Sequence, residues 1–349
     1  MNPQPEESAT PASQSFVPAD PVRLPDQDLQ NHRNADLIDR IKQSADKLAD
    51  DGSSRGDLKL LSRTLRELRY AFKVFAPFRR RRKVTVFGSA RTPETHPAYR
   101  QAVYFGQQMA QRDWLVVTGA AAGIMEAGHR GAGRDHSMGL NIMLPFEQEA
   151  NPIIAGDHKL VHMKYFFTRK VMFVKECDAV VCLPGGFGTL DEALEVLTLL
   201  QTGKRDMVPV VLLDEPGGTY WSSLDQFIRE HLLQGSMISP EDLALYCVTD
   251  SCDQAVAEVL GFFRVFHSMR YVRDQLVLRL QRSLEAAHLE AINEQFSDIL
   301  VSGRFQQSAA LDEEKSESDL LDLPRLVFAF NRRSAGRLRH LIDHVNGLG

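Results

Sequence analysis

The chain has 349 residues, of which 43% are hydrophobic and 25% are charged, and its formal net charge is −5 at pH 7. A chain of this length buries at least one sizeable core, so we expect one large domain with appendages or two domains. The net charge gives no overall attraction to nucleic acid or to anionic membranes, and we expect neither as a partner. The first residues lack the basic and apolar segments of a signal peptide, and no apolar run approaches the roughly 20 residues of a membrane span. These features predict a cytoplasmic protein.

The N-terminal region divides into two parts. Residues 1–33 are rich in Pro, Gln, Ser and Asp and contain few large apolar side chains, which predicts a disordered arm. Residues 34–79 form a predicted helical extension, because apolar side chains recur on one face of two successive segments. These side chains are Leu37, Ile38, Ile41 and Leu48 in the first segment and Leu58, Leu61, Leu65, Leu68, Phe72 and Phe75 in the second. The basic run FRRRRK follows, and we interpret it as a solvated connector rather than as a nucleic-acid patch.

Between residues 80 and 267, short apolar runs rich in valine alternate with helical segments. The runs are KVTVFGSA (83–90), WLVVTG (114–119), GLNIML (139–144), DAVVCLPG (178–185) and VPVVLLD (208–214). Strands of this composition suit a parallel sheet that is covered on both faces. The region therefore predicts an α/β fold, a Rossmann-like doubly wound parallel sheet with right-handed crossovers.

Small residues follow three of these strands. They are Gly88-Ser89-Ala90, Gly119 to Gly123, and Gly185 to Thr189. Because ligands of doubly wound sheets bind beyond the carboxyl ends of the strands, the three segments predict one shared crevice. The region has neither GxGxxG with an acidic residue about twenty positions later nor GxxxxGK[ST]. We therefore expect no dinucleotide cofactor and an anion smaller than a triphosphate.

The segment LPGGFGTLDE (183–192) has two interpretations. In one, Thr189 to Glu192 is a capping box, in which Thr and Glu satisfy the first free amides of a helix. In the other, the glycine amides bind an anion while Glu192 takes part in catalysis. Glycines favour the second interpretation because, without a β-carbon, they let phosphate oxygens approach the backbone N–H donors closely.

Two linked motifs carry a family resemblance. PGGFGTLDE matches the PGGxGTxxE motif of the Lonely Guy (LOG) family, and FFTRKVMFVKECDAVV before it resembles the arginine–lysine helix of that family. VFGSART, VTGAAAGIMEAGHRGAG and GLNIMLPFEQEANP are similar to its longer bacterial branch, so the resemblance covers roughly residues 80–265. It implies a nucleoside 5′-monophosphate phosphoribohydrolase, which releases a free base and ribose 5-phosphate. Family members are often labelled lysine decarboxylases, but no lysine-centred motif for a pyridoxal Schiff base is recognisable.

The resemblance also implies roles for individual residues. Arg169 and Glu192 match the catalytic arginine and glutamate. The candidate substrate-binding residues are Gly185, Gly186, Gly188, Thr189, Gly119, Gly123, Lys170, Ser89 and Arg91. Alternatively, Arg169-Lys170 is an ordinary basic pair on a helix surface, and Ser89 and Arg91 belong to an ordinary loop. We also expect a homodimer or a higher homo-oligomer in which a neighbouring chain completes the crevice.

One segment departs from the family pattern. Where the family usually has TGGGxGxME, this chain reads TGAAAGIME from Thr118 to Glu126. Two alanines replace glycines, and we expect their methyl groups to narrow the pocket, shift its substrate or weaken its activity. A non-catalytic nucleotide-binding carrier or sensor is therefore the alternative to a hydrolase. The motifs do not choose between AMP and cytokinin nucleotides as the substrate.

The remaining features suggest no further chemistry. Residues 268–349 predict a small α+β module with the order β-α-β-β-α. The four cysteines show no CxxC spacing and the histidines form no metal-binding pattern, so we expect free thiols and no metal site. The cysteines are Cys177, Cys182, Cys247 and Cys252. Among the histidines, only His162 stands out, because it lies shortly before Arg169.

Overall fold

The structure is a computed structural model that describes residues 34–144, 149–315 and 317–348. The predicted disordered arm, residues 1–33, and residues 145–148 lie outside the described residues. The chain divides into two units, Met1–Ser62 and Arg63–Gly349. Within the described ranges, no helix is both long and apolar enough to cross a membrane.

Two helices precede the sheet, as the apolar periodicity predicts. Helix α1 spans Ala35–Lys47 and helix α2 spans Arg55–Phe75. The apolar side chains of α1 are exposed, namely Leu37, Ile38 and Ile41. In the last turns of α2, Ala71 and Phe75 are fully buried and belong to the main hydrophobic cluster. The end of α2 is therefore part of the core of residues 63–349.

A seven-stranded parallel sheet lies at the centre of residues 63–349. Its strands are β1 (Lys83–Phe87), β2 (Leu115–Thr118), β3 (Ser137–Ile142), β4 (Leu160–Met163), β5 (Ala179–Cys182), β6 (Val210–Leu213) and β7 (Cys247–Thr249). Their order is β4-β3-β2-β1-β5-β6-β7, which confirms the predicted Rossmann-like, doubly wound fold. The direction of winding reverses between β1 and β5, the point at which such sheets bind ligands.

The two strands of this parallel sheet that the sequence did not predict are its edge strands, β4 and β7. Strand β4 has four residues and exposes His162, while β7 has three residues and only partly buries Cys247 and Val248. An edge strand pairs on one side only and is often kept short. Neither segment therefore carries the long apolar run that marks the five central strands.

Helices cover both faces of the sheet. They are α3 (Pro97–Ala110), α4 (Ile124–Ala132), α5 (Phe166–Glu176), α6 (Phe187–Gln201), α7 (Tyr220–Phe227) and α8 (Cys252–Gly261). On one face, Val84 and Val86 of β1 share a buried cluster with side chains of α3, α4 and α8. On the other face, the ring of Phe87 contacts that of Phe173 on α5, with centroids 4.9 Å apart. Alternate side chains of β1 thus fix helices on opposite faces of the sheet.

A four-stranded antiparallel sheet completes the chain. Its elements are β8 (Phe266–Val272), β9 (Gln275–Leu280), α9 (Ala286–Gln295), β10 (Leu300–Ser308), β11 (Arg325–Phe330) and α10 (Ala335–Gly347). The observed order is β-β-α-β-β-α, so the predicted order β-α-β-β-α was wrong because it missed β8. In β8 every third residue is buried, namely Phe266, Met269 and Val272, and this period hides the alternation typical of a strand. Ser268, where the predicted module begins, lies inside β8.

Candidate active site

A cavity of about 770 Å³ lies at the carboxyl ends of β1, β2 and β5. Nine residues singled out from the sequence line it, namely Ser89, Arg91, Gly119, Arg169, Gly185, Gly186, Gly188, Thr189 and Glu192. The three small-residue segments therefore meet at one crevice, as predicted. Among the described residues, Gly123 and Lys170 are not part of its lining.

Helix α6 begins in the glycine segment. Gly186 is its N-cap residue, and no side chain caps the helix. The amides of Thr189 and Leu190 donate to the Gly186 carbonyl at 3.0 and 3.2 Å. Glu192 lies beyond the first turn and plays no part in starting the helix. The capping-box interpretation of Thr189 and Glu192 is therefore wrong.

Packing restricts Gly185 but not Gly186 or Gly188. A β-carbon at Gly185 would clash with the Thr189 hydroxyl and lie 2.9 Å from the Ser89 amide nitrogen, so packing excludes a larger residue. A β-carbon at Gly186 or Gly188 would have no neighbouring atom within 4 Å, and neither residue has a positive φ. Packing therefore does not require glycine at Gly186 or Gly188. The space beside both residues is open to a ligand that approaches the backbone closely.

Arg169 on α5 and Glu192 on α6 form an ion pair at the cavity wall. Arg169 Nη2 lies 4.0 Å from Glu192 Oε1, and the two side chains are only 14% and 5% exposed. The guanidinium also lies over the rings of Phe166 and Phe173, 5.1 and 5.7 Å from their centroids. Its Nε is buried and has no hydrogen-bond partner within the described residues. A buried donor of this kind is available to a ligand.

Burial perturbs the protonation of both members of this pair. It raises the pKa of the Glu192 carboxyl, although Lys170 and Arg169 partly oppose the rise. It lowers the pKa of the Arg169 guanidinium, which Glu192 partly opposes. Glu192 therefore binds a proton more readily than an exposed glutamate.

Lys170 adjoins Arg169 in the chain, but its side chain lines another space. Its Nζ lies 2.8 Å from Asp191, 3.3 Å from Glu192 and 2.7 Å from Glu195, all on α6. Although burial disfavours the charged form, hydrogen bonds to Asp191 and Glu195 raise the pKa of Lys170. Lys170 lines a neighbouring cavity of about 790 Å³. The structure therefore does not bring Lys170 together with the other predicted substrate-binding residues, and its ammonium instead balances charge beside Glu192.

The alanine segment after β2 does not narrow the cavity. Ala120 has a φ of 58°, a left-handed conformation that costs an alanine on the order of 1 kcal/mol. Its methyl group packs with Ile154 and Leu160, in a small buried cluster. Of the residues that the structure describes, Gly119 lines the cavity but residues 120–122 do not. The expected narrowing by methyl groups was therefore wrong, and the cost of Ala120 is backbone strain.

Gly123 shapes the cavity without lining it. Its φ is 65°, and a β-carbon there would clash with the Ser89 carbonyl. The following amide, that of Ile124, donates to the same carbonyl at 3.0 Å. This close contact joins the segments that follow β1 and β2. The Ser89 hydroxyl accepts a hydrogen bond from the Arg91 amide at 3.0 Å, and the Arg91 side chain is exposed.

A buried histidine fixes the alanine segment. His129 on α4 is fully buried, and its Nε2 lies 3.0 Å from the Met138 carbonyl oxygen and 3.1 Å from Thr118 Oγ1. Because a carbonyl only accepts, we assign the ring hydrogen to Nε2. Burial lowers the pKa of His129 to about 4, so the ring is neutral near pH 7. Thr118 Oγ1 also accepts the Ala120 amide at 2.9 Å, which links the histidine to the strained residue.

The apolar side of the cavity was not predicted from the sequence. Its residues are Phe87, Met125, Phe173, Phe187 and Leu190. In a sequence, such side chains look the same as core residues. Of these residues, only Phe187 lies inside a motif, at the variable position of PGGxGTxxE, so only Phe187 could have been linked to the site from the sequence. In the structure it is 93% exposed at the start of α6.

The other residues considered from the sequence lie apart from the cavity. His162 in β4 is exposed and belongs to the lining of neither cavity described above. All four cysteines are free thiols. Residues 34–144, 149–315 and 317–348 contain no group of three or more His, Cys, Asp or Glu side chains arranged to hold a metal ion.

Comparison with known proteins gives four findings. Residues 117–259 match the family described as "Possible lysine decarboxylase". The chain is 35% identical over 165 residues to the "Probable cytokinin riboside 5′-monophosphate phosphoribohydrolase LOGL5" of Oryza sativa subsp. japonica, covering 46% of this chain and 64% of the rice protein. It is 34% identical over 164 residues to the "Cytokinin riboside 5′-monophosphate phosphoribohydrolase LOG3" of Arabidopsis thaliana, covering 46% of this chain and 73% of that protein. The solved structure of the molybdenum cofactor carrier protein MCP from Chlamydomonas reinhardtii is 21% identical, with a TM-score of 0.37, and covers 52% of this chain and 96% of that one.

Proposed function

Because this chain belongs to the Lonely Guy (LOG) family, we propose that it is a hydrolase that cleaves the N-glycosidic bond of nucleoside 5′-monophosphates. The products are the free base and ribose 5-phosphate, and the substrates are AMP, cytokinin riboside 5′-monophosphates or both. The observation that carries the proposal is the buried Arg169–Glu192 pair at 4.0 Å, which lines the same cavity as the glycine segment of α6.

The first turn of α6 supports binding of the 5′-phosphate. The first amides of a helix lack intrahelical partners, and because those of Thr189 and Leu190 already donate to the Gly186 carbonyl, the amides of Phe187 and Gly188 are the ones left for an anion among the described residues. The helix dipole attracts an anion by about 0.3–1 kcal/mol, or about 2 kcal/mol when partly buried. Gly186 and Gly188 leave room for phosphate oxygens at these amides, and the Thr189 hydroxyl adds a donor. Ser89 and Arg91 supply further donors from the segment after β1. These groups bind a single phosphate but do not by themselves cleave the substrate.

Glu192 supplies the chemistry. Cleavage of an N-glycosidic bond develops positive charge on the ribose, and a carboxylate beside the anomeric carbon stabilises that charge. The same carboxylate accepts a proton from the attacking water, whose oxygen bonds to the anomeric carbon. The base leaves with the electron pair of the broken glycosidic bond and takes up that proton. Burial of Glu192 strengthens its interaction with the developing charge, because less water screens it. Lys170 and Arg169 limit the rise in its pKa and so favour the ionised form.

Arg169 orients the substrate. A guanidinium donates paired hydrogen bonds to phosphate or ribose oxygens, and its charge stabilises the carboxylate of Glu192. Its buried Nε, which has no partner within the described residues, is a donor available for such a bond. The apolar side of the cavity, with Phe87, Met125 and Phe173, provides a surface for the purine ring.

Two alternatives fit the cavity less well. A non-catalytic carrier or sensor needs anion-binding amides, but it has no use for a buried arginine–glutamate pair. A lysine decarboxylase needs a lysine that forms a Schiff base with pyridoxal phosphate. No lysine among the described residues lines the cavity, and Lys170 is held by three carboxylates of α6. Both observations favour the hydrolase.

The experiment that tests the proposal is incubation of the purified protein with AMP, other nucleoside monophosphates, an N6-substituted AMP and adenosine. Free base is followed by chromatography. We expect base release from AMP, from the N6-substituted nucleotide or from both, and none from adenosine, because loss of remote binding lowers the rate of the chemical step. Base release from none of the monophosphates would contradict the hydrolase. Equal turnover of adenosine would contradict the phosphate site.

A further inference from the structure

A glutamate that precedes the parallel sheet in the chain holds the start of the helix that carries Arg169. Glu67 lies on α2, and its carboxylate accepts a hydrogen bond from the Lys164 backbone amide at 2.9 Å and one from the Thr168 hydroxyl at 2.8 Å. Tyr165 is the N-cap of α5, so both donors lie at the beginning of this helix. Thr168 directly precedes Arg169.

Glu67 is buried, and its carboxylate accepts three hydrogen bonds. It is only 5% exposed, and Arg63 Nε donates to it at 2.8 Å. Oε1 accepts from Arg63 and Lys164, while Oε2 accepts from Thr168, so both carboxylate oxygens are occupied. Although burial acts to raise it, these hydrogen bonds hold the pKa of Glu67 below its usual value. Glu67 is therefore ionised near neutral pH, and its charge complements the dipole of α5.

Apart from the rings of Phe166 and Phe173, which also belong to α5, the Arg169 side chain has few polar contacts that hold it in place. Its ion pair with Glu192 is 4.0 Å long, and its Nε has no partner within the described residues. The Arg169 backbone amide makes a long hydrogen bond of 3.4 Å to the Tyr165 carbonyl. The position of the guanidinium therefore depends on the backbone of the first turn of α5, and Glu67 holds that turn.

We propose that Glu67 is a positioning residue, which fixes the first turn of α5 and thereby sets the place of the Arg169 guanidinium in the cavity. This inference rests on the proposed phosphoribohydrolase function of the same cavity. Glu67 lies before residues 117–259, which match the family. The helical extension thus contributes to the site through a contact with α5.

Glu67→Gln tests this role, with Glu314→Gln as the matched control. Glu314 is fully buried, and its carboxylate accepts hydrogen bonds from Arg279, Arg325 and the Leu311 amide. Glu314→Gln therefore also removes the charge of a buried, hydrogen-bonded glutamate. Because small misplacements of a catalytic group are costly, we expect Glu67→Gln to lower kcat on the order of 10-fold or more. The Kd for the nucleotide should change by less than about 3-fold. Glu314→Gln should retain wild-type kcat.

A double-mutant cycle separates positioning from a general loss of stability. If Glu67 acts through Arg169, Glu67→Gln should cost little further activity in an Arg169→Lys protein. An equal loss in both backgrounds would overturn the proposal. Thr168→Val should reproduce the loss of kcat more weakly, whereas Thr168→Ser, which keeps the hydroxyl, should not. This second pair decides the question if Glu67→Gln does not fold.

Hydrogen exchange of residues 164–170 gives a readout that does not depend on turnover. We expect faster exchange of this segment in Glu67→Gln and unchanged exchange in Glu314→Gln. Unchanged exchange in Glu67→Gln, or faster exchange with normal kcat, would overturn the proposal. If the wild-type protein hydrolyses no nucleoside monophosphate, the proposed function fails, while the exchange experiment still decides whether Glu67 fixes α5.

Discussion

At the scale of single residues, Glu192 interacts with the charged side chains of Lys170 and Arg169 and does not cap a helix. The carboxylate lies 3.3 Å from Lys170 Nζ and 4.0 Å from Arg169 Nη2, and burial raises its pKa. Helix α6 begins without any contribution from its side chain. A change at Glu192 therefore alters the charge of the cavity and leaves the start of the helix as it is.

Gly188 provides a test of the phosphate site. Gly188→Ala should keep or slightly raise the free energy of unfolding, because alanine favours a helix over glycine by roughly 0.5–1 kcal/mol and meets no neighbouring atom. The new methyl group occupies the space assigned to phosphate oxygens. We expect the KM for the nucleotide to rise on the order of 10-fold, measured by base release together with denaturant unfolding.

Gly347→Ala is the matched control for Gly188→Ala. Gly347 also lies in a helix, α10, and a β-carbon there would have no neighbour within 4 Å. It does not line the cavity. We expect normal KM and kcat in this variant. A normal KM in Gly188→Ala would show that the first turn of α6 does not bind the phosphate.

At the scale of elements, the sequence predicted the centre of the sheet and missed its edges. The five central strands are recognisable in the sequence because strands buried on both faces are runs of apolar residues. The edge strands β4 and β7 are short and partly exposed, and the burial in β8 repeats every third residue. Local patterns therefore predicted an element only where burial follows its ideal period.

The candidate site was predictable to a similar extent. The glycine segment, Arg169 and Glu192 carry a motif, and they line one cavity. The direction of the Lys170 side chain depends on three carboxylates of α6, and the direction of the Ala120 methyl group depends on Ile154 and Leu160. These are tertiary contacts, so no local pattern encodes them.

The histidine of α4 leads to a prediction about stability and pH. The pKa of His129 is lowered to about 4 in the folded protein, against about 6.5 in the unfolded chain. As the pH falls from 6.5 to 4, the unfolded chain binds a proton at this ring before the folded protein does. The free energy of unfolding should therefore fall with pH in this window, by roughly 3 kcal/mol from His129 alone.

Denaturant unfolding between pH 7 and pH 4 measures this contribution. His129→Gln removes the titrating ring, so its free energy of unfolding should depend less on pH than that of the wild type. His162→Gln is the control for the histidine-to-glutamine change itself, because His162 is exposed and lines neither cavity. Equal pH dependence in His129→Gln and the wild type would contradict the buried neutral histidine.

At the scale of the whole molecule, residues 63–349 form one compact unit. This unit includes segments on both sides of residues 117–259, which match the family. The end of α2 and the strand β8 share a hydrophobic cluster with the parallel sheet, through Ala71, Phe75, Phe266 and Met269. Glu67 adds a polar contact to α5. We therefore expect that a protein cut down to residues 117–259 would lose much of its stability.

The homodimer stays a prediction, and we propose exposed apolar side chains on α5 and α6 as its interface. They are Phe166, Phe167, Val171, Phe187 and Leu194. Clusters of exposed apolar residues near a site often mark an interface. We expect sedimentation equilibrium at micromolar concentration to show at least a dimer. A fully active monomer would contradict this assembly.

Turnover by Glu192→Gln tests the proposed chemistry most directly. Glutamine has nearly the volume of glutamate, but it neither accepts a proton nor carries a stabilising charge. The variant is assayed with the monophosphate that the wild-type protein hydrolyses fastest, and thermal melting and nucleotide binding are measured on the same preparation. We predict a folded protein that binds the nucleotide with a Kd within about 3-fold of wild type and whose turnover is lower by on the order of 100-fold or more. Near-normal turnover in the folded variant would contradict the catalytic role of Glu192.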